Sequence, residues 1–133
     1  MSRHVYRCHV RFSDVDVYGH VNNVKYFEYY QEARLAFITS LGREEGGGRF
    51  TIVLARMDVD YKRPIMFRPE PYQVETWIGR VGNSSFGLDA EIKDGDTVLS
   101  RARAVMVTFD ARTQTARPLS DEEKQLLLGA MDA

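Results

Sequence analysis

Near the start of the chain Tyr6, Cys8, Val10 and Phe12 alternate with Val5, Arg7, His9 and Arg11. A period of two predicts a half-buried β-strand ending at Ser13. After a polar turn from Asp14 to Asn22 the period changes. Tyr26, Tyr30, Ala33, Phe37 and Leu41 recur at spacings of three and four, so they share one face of a helix. Asn22 or Asn23 can cap its start, and Gly42 can end it in a left-handed turn. Tyr26, Phe27, Tyr29, Tyr30 and Phe37 supply more aromatic surface than one core-facing stripe requires, so the helix is expected to be wrapped on more than one side.

The second half reads as strands. Arg43 to Arg49, with Gly46, Gly47 and Gly48 in a row, is a flexible loop, better read as a plain connection than as a cover over a pocket. Ile52 to Tyr61 is rich in β-forming residues, and Arg63-Pro64 ends its regular pairing. Tyr72, Val74, Thr76 and Ile78 form one alternating series; Phe86, Leu88, Ala90 and Ile92 form another against Gly87, Asp89, Glu91 and Lys93. Asp94-Gly95 is a hairpin turn, because both residues tolerate the positive φ that tight turns need. Val98 to Phe109 is the last long strand, and Ser120 with Glu123 makes a capping box before a short helix holding Leu126, Leu127 and Leu128.

The predicted order is strand, long helix, four strands, short helix: an α+β class, one domain over residues 1–133, with a mostly antiparallel sheet. A single long helix covers one sheet face poorly, so burial of further apolar surface between subunits is expected.

The 133 residues are enough for one core and too few for two. Hydrophobic residues at 44% and charged residues at 28% fit a globular protein. With 18 Lys plus Arg against 19 Asp plus Glu, the net charge of -1 offers no general attraction to nucleic acid or anionic lipid. No stretch approaches the roughly 20 apolar residues of a membrane span, and no apolar signal core is present, so a cytoplasmic location is expected. The lone Cys8 has no disulfide partner in the chain, and no Cys/His cluster has metal-site spacing. Cys8 reads as a small strand residue rather than a reactive thiol.

One stretch carries candidate chemistry: Asp14, Asp16, Gly19, His20, Asn22 and Asn23 stand immediately before the long helix. The first amides of a helix have no internal acceptors, and the macrodipole places partial positive charge there. A carbonyl seated at that terminus would be polarised while a nearby carboxylate attacked it or activated water. From residue types alone, the same residues read first as ordinary turn and capping chemistry.

The pattern Asp16-x-x-Gly19-His20-Val21-Asn22-Asn23-x-x-Tyr26, followed by Glu32-Ala33-Arg34, resembles the signature of the 4-hydroxybenzoyl-CoA thioesterase family, and within it the long-chain acyl-CoA thioesterase branch. Asp60-Tyr61-Lys62-Arg63-Pro64-Ile65 and Gly82-Asn83-Ser84-Ser85 extend the likeness over nearly the whole chain. The resemblance implies a hot-dog fold, a curved antiparallel five-stranded sheet wrapped around one long central helix, with subunits associated as a homodimer or homotetramer. It implies hydrolysis of an acyl thioester, with Asp16 rather than Asp14 as nucleophile or general base. The main-chain N–H of Asn23 would polarise the carbonyl. His20 and Asn22 would serve as positioning or turn residues.

Coenzyme A then enters as part of the substrate, with no separate cofactor and no metal; acyl carrier protein is the other conceivable donor. Its anionic end needs surface cations, for which Lys62, Arg63, Arg80 and Arg101 are candidates. Gly82, Asn83, Ser84 and Ser85 resemble the segment lying along pantetheine. Tyr26, Phe27 and Tyr30, with Met57 and Trp77, are candidates for the acyl pocket, and the family likeness favours fatty acyl groups. Competing readings are an acyl-CoA-binding hot-dog protein without catalysis, a dehydratase or hydratase acting on acyl thioesters, and an interaction module whose aromatic helix is only core.

Overall fold

A computed structural model describes residues 3–43 and 51–131. The glycine run Gly46 to Gly48 lies outside the described residues. In chain order the elements are β1 (His4–Cys8), α1 (Asn23–Ile38), β2 (Ile52–Tyr61), β3 (Tyr72–Val81), β4 (Ser85–Asp94), β5 (Thr97–Asp110), β6 (Thr115–Ala116) and α2 (Asp121–Ala130). The strands form one antiparallel sheet in the order β1-β3-β4-β5-β2, with β6 as a two-residue addition to β5. This is the expected curled five-stranded sheet with one long helix and a short C-terminal helix.

Strand alternation decides which residues meet the helix. Along β3 the side chains of Tyr72, Val74, Thr76 and Ile78 are buried, and along β4 those of Phe86, Leu88, Ala90 and Ile92. The opposite face carries charge: Arg3 bonds Glu75, Lys93 pairs with Glu75, and Arg101 Nε donates to Glu91 at 3.0 Å. Trp77 belongs to that charged face, with the Arg3 guanidinium 3.7 Å above its ring. It therefore stands away from the helix and from any acyl pocket there, as the alternation with Thr76 and Ile78 requires.

The helix buries Tyr26, Tyr29, Tyr30, Ala33 and Phe37. Tyr29, three residues after Tyr26 and four before Ala33, widens the same stripe, while Val24, Phe27 and Leu35 are exposed, so α1 is buried along one broad face rather than on more than one side as expected. The core divides along the helix. Around the first turns lie Val10, Val21, Tyr26, Tyr30, Ile65 and Ile92. At the far end Phe37 meets Ile78, Phe86, Met106, Leu119 and Leu127. There α2 closes the sheet, held by its capping box: the Ser120 side chain accepts from Glu123 N, and Glu123 Oε1 accepts from Ser120 N at 2.9 Å.

Several boundaries differ from the sequence reading. β1 stops at Cys8, because its partner β3 begins opposite at Tyr72 and offers no further backbone. Phe12 leaves the alternation for a 3-10 turn over Phe12–Asp14 and is 81% exposed. The long helix does not end in a left-handed turn at Gly42 but passes into a π-helical turn over Thr39–Arg43. β6 is two residues long, too short to show any period. No helix among the described residues is long and apolar enough to cross a membrane.

Candidate active site

The loop between β1 and α1 is built as a small hairpin. Val15 and Val21 form an antiparallel bridge, Asp16 N donates to His20 O at 2.9 Å, and Gly19 N donates to Asp16 O at 3.0 Å. Gly19 sits at φ +78°, a backbone conformation open to glycine and strained for other residues. The hairpin is fastened to the segment after β2: Val21 N donates to Ile65 O at 2.8 Å, Phe67 N donates to Gly19 O at 3.0 Å, and the ring of Phe12 meets Phe67 edge-on.

Inside this frame the Asp16 carboxylate is held by the turn that follows it. Oδ1 accepts from the amides of Tyr18 at 2.9 Å and His20 at 3.1 Å. Among the described residues nothing donates to Oδ2. One oxygen thus fixes the side chain while the other stays available for chemistry.

The helix begins at once on the far limb. Asn22 is the N-cap, but its side chain accepts no bond from the helix amides, so the expected side-chain cap is absent. Lys25 N is satisfied by Asn22 O at 2.9 Å. The amides of Asn23 and Val24 find no acceptor among the described residues. These are the donors that a helix terminus offers to an oxyanion.

Carboxylate and helix start share one cleft of about 610 Å³, lined by Asp16, His20, Val21, Asn22, Asn23, Val24, Tyr26, Tyr61, Lys62, Arg63 and Pro64. Seven of the residues singled out in the sequence therefore meet: Asp16, His20, Asn22, Asn23, Tyr26, Lys62 and Arg63. Lys62 and Arg63 are placed on the rim by a shared acceptor, since both amides donate to Leu99 O at 3.0 Å. Their side chains are exposed and form no ion pair among the described residues. Tyr26 is buried, and burial pushes its phenol above the ordinary range. Among the described residues no group of three or more His, Cys, Asp or Glu side chains is arranged to hold a metal ion.

The sequence reading missed Tyr61 as a cleft residue. Its ring packs edge-on against Tyr26 with centroids 4.7 Å apart, and its hydroxyl donates to Asn23 O at 3.3 Å. The signal was present in the segment Asp60 to Ile65, where attention went to the cations. It also understated Asp14, which is wholly buried and accepts from Tyr29 Oη at 2.7 Å and from Arg11 N and Nε.

Other candidates lie elsewhere. Tyr30 is buried between α1 and the sheet, its hydroxyl donating to Ser100 Oγ at 2.7 Å, so it belongs to the core rather than to the cleft. Phe27 is partly exposed on the helix and outside the cleft, and Met57 Sδ lies 3.8 Å from Arg34 Nη1. Gly82, Asn83, Ser84 and Ser85 form the β3–β4 turn, where Gly82 N donates to Ser85 O at 2.7 Å and Asn83 O accepts from Leu119 N at 2.8 Å. Ile92, at the other end of β4, pairs with Ser100, which pairs in turn with Tyr61 at the cleft. The turn therefore lies about 23 Å from the cleft end of the sheet, taking roughly 3.3 Å per strand residue. Arg80 stays with that turn, 3.4 Å from Ser85 Oγ, and Arg101 is engaged by Glu91.

The profile described as the thioesterase-like superfamily matches residues 10–127. The uncharacterized protein YsmA of Bacillus subtilis (strain 168) is 33% identical over 124 residues, spanning 90% of this chain and 81% of that one. Among solved structures, one described as a predicted thioesterase from Bacillus stearothermophilus superposes with a TM-score of 0.87 at 26% identity, covering 98% and 97% of the two chains. A thioesterase from Thermus thermophilus, complexed with coenzyme A and zinc, superposes with a TM-score of 0.81 at 27% identity, over 95% and 92%.

Proposed function

The chain belongs to the thioesterase-like superfamily, and from that premise we propose that it is an acyl-CoA thioesterase in which Asp16 and the first turn of α1 act on opposite sides of the thioester carbonyl. The observation that carries this reading is their shared cleft, with a carboxylate oxygen free of partners among the described residues beside two helix amides in the same condition. As the carbonyl carbon becomes tetrahedral, negative charge builds on its oxygen. The amides of Asn23 and Val24 are fixed donors that need no reorganisation to receive it.

Asp16 Oδ2 either attacks the carbonyl carbon, giving an anhydride that water then hydrolyses, or takes a proton from the attacking water. Either route breaks the carbon–sulfur bond and releases free acid and the thiol of coenzyme A. His20 shapes the turn through its main chain, and Asn22 holds the N-cap position between the two working groups.

Lys62 and Arg63 are placed to meet the phosphates of coenzyme A at the cleft rim. The coenzyme A bound to the Thermus thermophilus thioesterase supports that donor class. Fatty acyl groups remain our choice of acyl class on the sequence resemblance alone.

A homodimer completes the picture. Among the described residues β2 pairs only with β5, so none of them covers the other backbone edge of this ten-residue strand, and Val53, Leu54 and Tyr61 are exposed on it. Such an edge is normally covered. Pairing of two subunits would let the Gly82 to Ser85 turn of one serve the pantetheine arm held by the other, which its distance from Asp16 in its own chain otherwise forbids.

The test is release of free thiol from a panel of acyl-CoA and acyl carrier protein donors of graded chain length. Turnover that is lost on changing Asp16 supports the proposal. Tight binding across the panel without thiol release would overturn it in favour of an acyl-CoA-binding protein.

A further inference from the structure

We propose that Asp14 is a positioning residue of this site: its buried carboxylate sets the distance between the Asp16 oxygen and the helix amides. The inference rests on the hydrolytic reading of the cleft and adds a residue to it.

Asp14 is the one buried aspartate among the described residues, with no exposed surface. Its Oδ2 accepts three donors: Arg11 N at 3.0 Å, Arg11 Nε at 3.1 Å and Tyr29 Oη at 2.7 Å. Its Oδ1 lies 3.0 Å from Arg11 Nη2 and 4.0 Å from Lys25 Nζ. Arg11 and Lys25 are both tied in turn to Glu28. Burial by itself would raise the carboxyl's pKa, yet the bonds from Tyr29 and Arg11 outweigh it and hold it below the usual range. The carboxylate thus joins the end of the β1 limb to the second turn of α1.

The main chain of the same residue does the rest. Asp14 O accepts from Asn22 N at 2.9 Å, so the N-cap hangs on Asp14 directly. Two residues on, Asp16 N bonds His20 O, and the Val15–Val21 bridge lies between. Asp16 stands on one limb of this hairpin and Asn22 and Asn23 on the other. Asp14 fixes the first limb to the axis of the helix that carries the second limb onward. If that fastening loosens, the limbs can still pair, but the carboxylate no longer faces the helix terminus at a fixed separation. Substrate binding at Lys62, Arg63 and Tyr61 is left in place, since none of them bonds to Asp14 or its partners.

Asparagine at position 14 removes the negative charge that faces Arg11 and Lys25, and with its oxygen kept in the place of Oδ2 its N–H₂ group must stand where Oδ1 was, against the donor Arg11 Nη2 at 3.0 Å, so the side chain has to shift. Misplacement by about 1 Å costs on the order of 100-fold in rate, so kcat for Asp14→Asn is expected to fall roughly 10- to 100-fold with KM unchanged within about twofold. Tyr29→Phe removes a single donor and is expected to lower kcat less, about 3- to 10-fold on the same scale.

The experiment measures kcat and KM for both variants on an acyl-CoA that the wild type hydrolyses, at a temperature where circular dichroism shows each variant folded. A fall in kcat at constant KM supports the positioning role. Folded variants with wild-type kcat, or with raised KM and unchanged kcat, overturn it while leaving the hydrolytic reading intact. Should Asp14→Asn fail to fold, Tyr29→Phe decides by the same criterion. A wild type that hydrolyses no donor overturns the hydrolytic reading and this inference with it.

Discussion

Replacing Asp16 with asparagine separates chemistry from architecture. The Asp16 side chain is exposed, and its Oδ1 accepts from Tyr18 N and His20 N. An asparagine carbonyl oxygen can take both bonds, so the turn should survive. A surface change that keeps its local bonds usually moves stability by less than about 0.5 kcal/mol. What disappears is the negative charge and basicity of the second oxygen. Loss of a general base typically costs about 10²- to 10⁴-fold, which is on the order of 3–5 kcal/mol of barrier at about 1.36 kcal/mol per tenfold.

KM should stay near the wild-type value, because Lys62, Arg63 and Tyr61 are untouched. The assay pairs continuous thiol release with urea unfolding of the same preparations. An Asp16→Asn protein that keeps more than about a tenth of wild-type kcat refutes the assignment, since that loss is below the range for a base or nucleophile. A stability loss of about 2 kcal/mol would equally refute the reasoning, because the bonds described would then not have been conserved.

Removing the charges of Lys62 and Arg63 together should raise KM for acyl-CoA several-fold, about 2- to 5-fold per exposed contact. Kinetics with an acyl-pantetheine donor that lacks the nucleotide should be unaffected. Glu123→Gln should destabilise the fold by about 1–3 kcal/mol near pH 7, since Glu123 takes 2.8 Å bonds from both Nη1 and Nη2 of Arg117 as well as the Ser120 amide. The bond from Arg117, against the cost of burial, lowers the Glu123 pKa. Its contribution is therefore complete above the unfolded value of about 4.3 and is lost as pH falls through the lower folded one, so the gap between wild type and variant should close in acid when followed by thermal melts. Cys8, pushed up to about 12 by burial and then by the charge of Asp14, should resist iodoacetamide at pH 8 in the native protein. Mass spectrometry should show its rapid alkylation only in denaturant.

Periodicity made most of the sheet and the long helix legible. Tyr72 to Ile78 and Phe86 to Ile92 alternate because one face meets α1 and the other carries a charged network, so the pattern and the burial coincide. Tyr29 escaped because it reaches not the sheet but Asp14, a polar partner whose burial has no local sequence signal. Phe12 was misplaced because an aromatic residue in phase with a strand continues the alternation even where the neighbouring strand has run out. At the site, the segment before the helix stood out as a place where chemistry could occur, but the choice of Asp16 and Asn23 within it came from the family resemblance; both line one cleft with Lys62 and Arg63. The position of Gly82 to Ser85 was not readable, because which end of a sheet a turn occupies follows from strand order, and local composition does not encode it.

The hairpin that carries Asp16 borrows its support from Ile65 and Phe67, more than forty residues further along the chain. Local contacts alone leave it unfinished during synthesis or refolding, and the groups of the proposed site can assemble only after β2 has been laid down and its exit segment has returned to them. Completion of the proposed site therefore depends on non-local contacts. Damage to the short stretch from Ile65 to Phe67 should silence the protein while most of its secondary structure persists.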